Sequence, residues 1–487
     1  MRPPLRDWDI DKALIIFLAV LSVILACAAI AAAQSPPPLA RAARVALVDI
    51  QRTPPADREF IRYVVEVGED REDRDQRIAV DYLLNAVSRT RAMIRCEPLP
   101  AGVLRIDLSQ MARDEHPHEL QAVCAAWEAM ADADPYFHMK TEAVVAGKKI
   151  TSRVDGGWIE PRVAAGLRLN TKSHGPILRA DYFVANIARP PAYYNFAGVQ
   201  ATENEFLRDS AAVDRKQQND LAANSAANLL ISKITDRPRR VVMMRGPLGG
   251  VYQTLDVEKL DPTRDPIRNP INVHGPEGPQ FFRHDASEWF VAKSNKFFTT
   301  ALFNAAGERQ NSVPEKIAKD LHARDGILQP IISCIRCHEN FGGVAGLQPI
   351  EDDQYRLLTG ESSILKSFIP SVARRIGELY EPARMKREID RDREDYAEAV
   401  YRATGYSAGV ATSAVSRVYQ NFSEEPVTLF TAAAEAGVTP AAFVAATTPT
   451  DDPIIISLKA GRRVKRESYE ASFQEIMLRT WAAPRER

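Results

Sequence analysis

The spacing of apolar residues divides this chain into a mixed front part and a helical back part. Phe60 to Val67 is β-branched and aromatic and predicts a strand. The charged run Gly68 to Arg77 gives way to Ile78, Val80, Leu83, Leu84 and Val87, one buried face of a helix. Val103 to Leu108 predicts a second strand. Leu120, Val123, Cys124, Trp127 and Met130 then recur at helical spacing up to Pro135, which stops a helix. Ile177 to Ala188 reads as a helix ended by Pro190-Pro191. Thr202-x-x-Glu205 reads as a capping box opening a long helix to about Ile234. Arg239 to Arg245 and Val251 to Val257 flank a Gly-Pro-Leu-Gly-Gly turn and predict a hairpin. Glu288 to Ala292 and Phe297 to Asn304 predict two more strands.

A second capping box, Ser312-x-x-Glu315, predicts a helix over Val313 to Leu321. Beyond residue 340 the helical period dominates: Ser363 to Tyr380, Ala383 to Ala403, Thr428 to Ala436, and Thr439-Pro440 to Ala446. Gly405 to Tyr419 fits no single pattern. The stretch Asp261 to Pro279, rich in proline and glycine, is the natural boundary. The expected organisation is a front α+β domain over 43–260 and a second region over 280–487.

The N-terminus changes the picture. Ala13 to Ala33 is uncharged and mostly apolar, after Arg2, Arg6 and Lys12, and is long enough to span a bilayer as a helix. Ala31-Ala32-Ala33 before Gln34 is also a small-residue cleavage site. Residues 1–34 are therefore expected to be a signal peptide or a transmembrane anchor. Residues 35–42, rich in proline, are expected to be a tether. The rest of the chain is expected outside the membrane. The 63 basic residues nearly balance the 64 acidic ones, so no global field points to nucleic acid. In an oxidising compartment Cys96 and Cys124 could pair as a disulfide, or Cys124 could stay a free thiol on its helix.

Cys334-Ile335-Arg336-Cys337-His338 is the one stretch with specific chemistry. Cysteines at i and i+3 of a helix share a face, so both sulfurs can add to the vinyl groups of one porphyrin as thioethers. The next residue, His338, can coordinate the iron. With 5 cysteines and 8 histidines, chance gives such a pentad on the order of once in a thousand chains of this composition. A zinc site would need a second Cys/His pair at a suitable spacing, and the sequence has none. A thioredoxin-like pair or a plain disulfide are the remaining bland readings. The expected cofactor is one covalently attached haem c, held by Cys334, Cys337 and His338.

A sixth iron ligand is open. Met385 follows the motif, within the polar run Arg384-Met385-Lys386-Arg387-Glu388. His284 precedes a predicted hairpin that leads toward the motif. His138, Met139, His174, His274 and His322 are further choices, and an open position is another. Phe341, Val344, Leu347 and Ile350 are expected to line the haem pocket. Arg336 could reach a propionate, but its place between the thiols points it to solvent.

The chain resembles a family of large bacterial proteins that carry a single c-type haem. Leu104-Arg105-Ile106-Asp107-Leu108, Trp127-x-x-Met130 leading to Asp134-Pro135-Tyr136-Phe137-His138, Leu178 to Phe183, His284-Asp285-Ala286-Ser287-Glu288 and Asp325-Gly326-Ile327 carry the resemblance, in patches over about two thirds of the chain. Ala286-Ser287 and Ser294-Asn295-Lys296 depart from the glycine-rich stretch and Asn-Gly-Leu turn of that family. The resemblance implies haem binding and electron transfer, and names no substrate. The expected fold is α+β and predominantly helical, with an N-terminal α+β region followed by a hairpin and a helical cytochrome c-like region. The expected function is one-electron transfer on the periplasmic side of the inner membrane, with a redox partner protein. A peroxidase-like haem oxidoreductase or a haem sensor is the alternative if the sixth position is open.

Overall fold

The computed structural model describes residues 38–67, 70–113, 116–145, 148–155, 159–214, 217, 220, 223–229, 232, 234–270, 282–339, 366 and 368–481, and for 70–73, 138–155 and 338–339 the backbone alone. The expected N-terminal segment 1–34, His274, and the pocket residues Phe341, Val344, Leu347 and Ile350 lie outside the described residues. The fold is α+β and mostly helical, as the periodicities predict.

The strands are β1 Ile61–Val65, β2 Glu97–Leu99, β3 Val103–Asp107, β4 His138–Val145, β5 Lys148–Asp155, β6 Ile177–Arg179, β7 Ser225–Leu229, β8 Arg239–Arg245, β9 Gly250–Asp256, β10 Ala286–Ala292 and β11 Phe298–Asn304. The helices are α1 Pro38–Arg52, α2 Asp70–Val87, α3 Pro117–Ala131, α4 Pro161–Thr171, α5 Ala180–Ile187, α6 Ala192–Ala197, α7 Glu203–Phe206 and α8 Ile332–Glu339. After them come α9 Pro370–Leu379, α10 Pro382–Thr404, α11 Ala408–Tyr419, α12 Leu429–Glu435, α13 Pro440–Ala446, α14 Pro453–Lys459 and α15 Arg466–Thr480.

The chain divides into two compact units, each discontinuous in sequence: 1–45 with 135–165 and 426–487, and 46–134 with 166–425. The expected boundary near 261–279 therefore falls inside the larger unit. Residues 38–42 of the expected tether are helical, with Leu39, Ala40 and Ala42 buried. Proline at the first helical position lacks only an N–H that would have had no partner there, so Pro38 can begin α1.

In the larger unit, β2-β3-β1-β6 form one sheet and β11-β10-β9-β8-β7 a second, antiparallel one. All five residues of β1 are buried, because β3 pairs antiparallel on one side and β6 parallel on the other. Helix α2 packs on α11, and α8 packs on α11 in turn. The buried indole of Trp127 donates to the Gly175 carbonyl at 2.8 Å, so its one polar group is satisfied. In the smaller unit, β4 and β5 pair as a hairpin and α12 to α15 pack together around Phe443, Tyr469 and Phe473.

Three expectations fail for local reasons. The capping box at Thr202 forms, with its hydroxyl accepting the Glu205 N–H at 3.4 Å, but the helix is only α7 followed by a π-helical turn, Leu207–Ala211. Ala212 then turns left-handed, and Ser225 to Leu229 join β8 as an edge strand. The helix expected over Val313 to Leu321 is a set of turns. Val313 donates to the Leu328 carbonyl at 3.0 Å and Asp320 to the Gly326 carbonyl at 3.1 Å, so these amides bond across the loop instead. Ile177–Arg179 is strand β6, with only Ala180 to Ile187 helical.

Candidate functional site

Helix α8 carries the motif. Its start is strained: Ile331 has φ of +66°, a left-handed conformation that a β-branched residue rarely adopts. Such strain persists only where packing over-determines it, and Ile331 is 4 % exposed. The Ser333 hydroxyl accepts the Gln329 N–H at 2.9 Å, and Ile335 N–H closes the first turn on the Ile331 carbonyl at 2.8 Å.

Cys334 and Cys337 lie one turn apart on this helix, and no disulfide joins them. The backbone of His338 lies in the same helix, and its side chain is outside the described residues. Cys334 opens on a cavity of about 40 Å³ walled by Tyr82 of α2, Phe290 of β10, Phe297 and Phe298 at the start of β11, Ile335 and Tyr396 of α10. The hydroxyls of Tyr82 and Tyr396 share a hydrogen bond of 2.7 Å. Burial holds both phenols above their ordinary range, so they remain neutral.

A buried polar cluster meets the cavity at Cys334. Its thiol donates to Glu288 Oε1 at 3.6 Å. The other oxygen, Glu288 Oε2, accepts from Arg239 at 3.2 Å. Arg239 in turn grips Asp256 with two bonds of 2.6 and 2.9 Å, and both partners are buried. Burial works against the Arg239 cation, but Asp256 and then Glu288 outweigh it and hold its pKa well above the usual range. Burial pushes the Glu288 carboxyl up; Arg239 opposes that and Asp256 adds to it. Burial, followed by Glu288, pushes the Cys334 thiol well up, so it is a thiol and not a thiolate.

Arg336 does not face solvent. Its guanidinium donates to Glu424 at 2.7 Å, lies 3.7 Å from Asp320 and covers the ring of Tyr419 at 5.0 Å. Glu424 comes from a π-helical turn, Gln420–Glu424, that continues α11; such turns often mark functional regions. Arg336 is therefore a strut between α8 and α11.

The sixth-ligand choices are dispersed. Met385 is fully buried, so its helix hides it from the polar run it belongs to. It stands three turns before Tyr396 on α10, about 16 Å along the axis at 1.5 Å per residue. His284 is half-buried just before β10, roughly 13 Å along the strand from Glu288 at 3.3 Å per residue. His174 and His322 are exposed. His138 and Met139 lie in the backbone of β4, in the smaller unit, with side chains outside the described residues. Among the described residues, no group of three His, Cys, Asp or Glu side chains could hold a bare metal ion.

The donor set suits haem attachment in its chemistry: two cysteines outside any disulfide, one turn apart, one of them against aromatic rings. The cavity itself takes about one water, whereas pockets for cofactor-sized ligands run to roughly 300–1,000 Å³. The described lining is therefore too small to take a porphyrin. Cys96 and Cys124 are free, and no disulfide joins them. The Cys96 N–H donates to buried Asp81 at 2.7 Å, and burial and Asp81 push its thiol far up.

The pentad was legible in the sequence; Glu288, Arg239, Asp256, Tyr82 and Tyr396 were not. The available signal was a carboxylate in strand phase with Phe290, on one face of a mostly apolar strand. No family model, no curated protein and no solved structure matches this chain. Among the described residues no single helix is long and apolar enough to cross a membrane.

Proposed function

We propose that this chain is an exported c-type cytochrome with one haem, working in one-electron transfer at the periplasmic face of the inner membrane. The observation that carries the reading is the pair of cysteines, Cys334 and Cys337, one turn apart on α8 and in no disulfide, with the backbone of His338 following. When bound, haem supplies an iron that gains and loses one electron. Cys334 and Cys337 would tether it and His338 would ligate it, while Phe290, Phe297 and Phe298 exclude water beside Cys334. Arg336 holds α8 on α11 through Glu424 and so fixes the direction of the tethers. The apolar run Ala13 to Ala33 exports the chain and either anchors it or is removed. The electron comes from and goes to redox partner proteins, and no nucleic acid is involved.

The second reading, a peroxidase-like oxidoreductase or sensor with an open sixth position, is favoured by one observation. Among the described residues lining the cavity there is no His or Met. Carbon monoxide separates the two readings. The reduced carrier keeps a low-spin spectrum when the gas is added, and His338→Ala keeps covalent haem but loses that spectrum. A shift of the wild-type spectrum on adding the gas would contradict the carrier and favour the open site. An unaltered spectrum in His338→Ala would remove His338 from its role.

A further inference from the structure

We propose that the outer face of α12 and α13, in the smaller unit, rests on an anionic phospholipid surface. The proposal goes beyond electron transfer and needs no haem. It shares with the function proposed above only the membrane anchor at Ala13 to Ala33, and rests on that anchor being kept.

The argument begins with missing charge. From Pro426 to Thr450 the sequence has a single charged residue, Glu435. Its carboxylate is held by buried Arg466 at 2.7 and 3.0 Å, so it adds no free charge to the surface. The stretch is nonetheless open on one side. Phe430 keeps 73 % of its surface exposed, and Ala434, Ala441, Ala442 and Ala445 are exposed with it. A single apolar residue on a surface is ordinary, but two successive helices with no exposed charge are not. By length and composition α12 and α13 together could make one membrane span, but they bend by 83° at their junction. Helices α14 and α15 pack on them from the inside. A bent apolar pair covered on one side suits the interfacial layer of a bilayer, where one face meets acyl chains and the other stays with the protein.

Two features name the occupant. The first is charge beside the face. Val427 and Val464 exchange backbone hydrogen bonds of 2.8 and 2.9 Å, which sets the start of α12 against the loop 460–465. Arg462, Arg463 and Lys465 of that loop are exposed, and among the described residues their side chains make no hydrogen bond or ion pair. Within 459–470 the one exposed carboxylate is Glu467. An apolar face edged by unpaired cations matches acyl chains beneath anionic headgroups.

The second is the reach of the chain. Gly437, in the turn between α12 and α13, lies against Pro38, since a Cβ there would strike its ring. Pro38 is the fifth residue after Ala33, where the apolar run ends, and five residues extend at most about 18 Å. With the run in the bilayer, the turn between α12 and α13 is held close to the membrane surface.

The test uses the full chain in vesicles of phosphatidylcholine, alone or mixed equally with phosphatidylglycerol, with acyl chains brominated to quench tryptophan. Phe430→Trp is expected to add emission that is quenched in the anionic vesicles and little quenched in the neutral ones. Arg462→Glu, Arg463→Glu and Lys465→Glu together, all at exposed positions, are expected to abolish that quenching. Salt at about 1 M, which screens charges beyond about 3 Å, is expected to do the same. A chain that stays on the vesicles with Phe430→Trp unquenched in both lipids would overturn the proposal, leave the anchor standing and leave the face to a protein partner. Equal quenching in the two lipids, or with and without the three glutamates, would overturn it as well. A chain retained by neither lipid would overturn both the proposal and the anchor.

Discussion

At the scale of single residues, the larger unit is pinned by buried charges that hydrophobic patterning does not foretell. Lys293, just after β10, donates to the carbonyls of Asn85, Ala86 and Ser88 at 2.9, 2.7 and 2.8 Å. Those carbonyls close the C-terminus of α2, where a helix leaves acceptors without partners and a cation is favoured. Burial, with Arg89 nearby, pushes the Lys293 ammonium down to about 7. A folded-state pKa below that of the unfolded lysine means the unfolded chain binds the extra proton above pH 7. Stability is therefore expected to rise with pH from about 7 toward 10, to the extent Lys293 sets it. Lys293→Met takes this donor from the Ala86 and Ser88 carbonyls, while Asn295 still donates to the Asn85 carbonyl at 2.9 Å, and is expected to cost about 2 kcal/mol near pH 7. Urea midpoints of both proteins across that range check this: the wild-type slope should vanish in the variant. In sequence Lys293 is an unremarkable lysine at the end of a strand. What makes it matter is a helix end more than 200 positions away in the chain, which no local pattern reports. Arg336 was misread for the same reason, because its partners Asp320 and Glu424 come from elsewhere in the chain.

At the scale of elements, helices with apolar stripes and their own stop signals were legible, and elements made by pairing were not. Helix α10 follows its pattern because Met385, Ile389, Asp392 and Tyr396 fall on one buried face at helical spacing. Helix α13 begins where Thr439 and Pro440 place it, with the Thr439 hydroxyl accepting the Ala442 N–H at 3.2 Å. Strand β7 was hidden in Ala- and Asn-rich sequence that reads as helix; its backbone is claimed by β8. The same competition dissolves the helix expected after Ser312. Helix α12 ends on Gly437 at φ of +70°, with Val438 N–H returning to the Ala433 carbonyl at 2.9 Å, a left-handed cap that favours glycine. A Cβ on Gly437 would also strike the ring of Pro38. Gly461 has φ of +73° with open space around it. Gly437→Ala is thus expected to cost clearly more than Gly461→Ala, which carries only the left-handed penalty of about 1–2 kcal/mol. Thermal or urea unfolding of the two variants decides it; equal losses would mean that the Pro38 contact yields without cost.

At the scale of the whole molecule, the mixed, mostly helical class was readable from the alternation of periods, while the division into units was not. Both units are assembled from separate pieces of sequence, so a proline- and glycine-rich stretch near residue 270 could not mark a boundary between them. The candidate site follows the same logic. The covalent chemistry proposed for it rests on five consecutive residues that the sequence shows at once. Its surroundings come from α2, β8, β9, β10, β11 and α10, and only folding gathers them at Cys334. In the function proposed above, α8 holds a haem through two thioether bonds. It is tested most directly by expressing the full chain with a c-type haem maturation system, denaturing it, and measuring haem and intact mass on the separated polypeptide. One haem is expected to stay with the denatured wild-type chain and to be lost from the Cys334→Ala, Cys337→Ala double variant. A wild-type chain that separates from all haem on denaturation, or carries none, would contradict it.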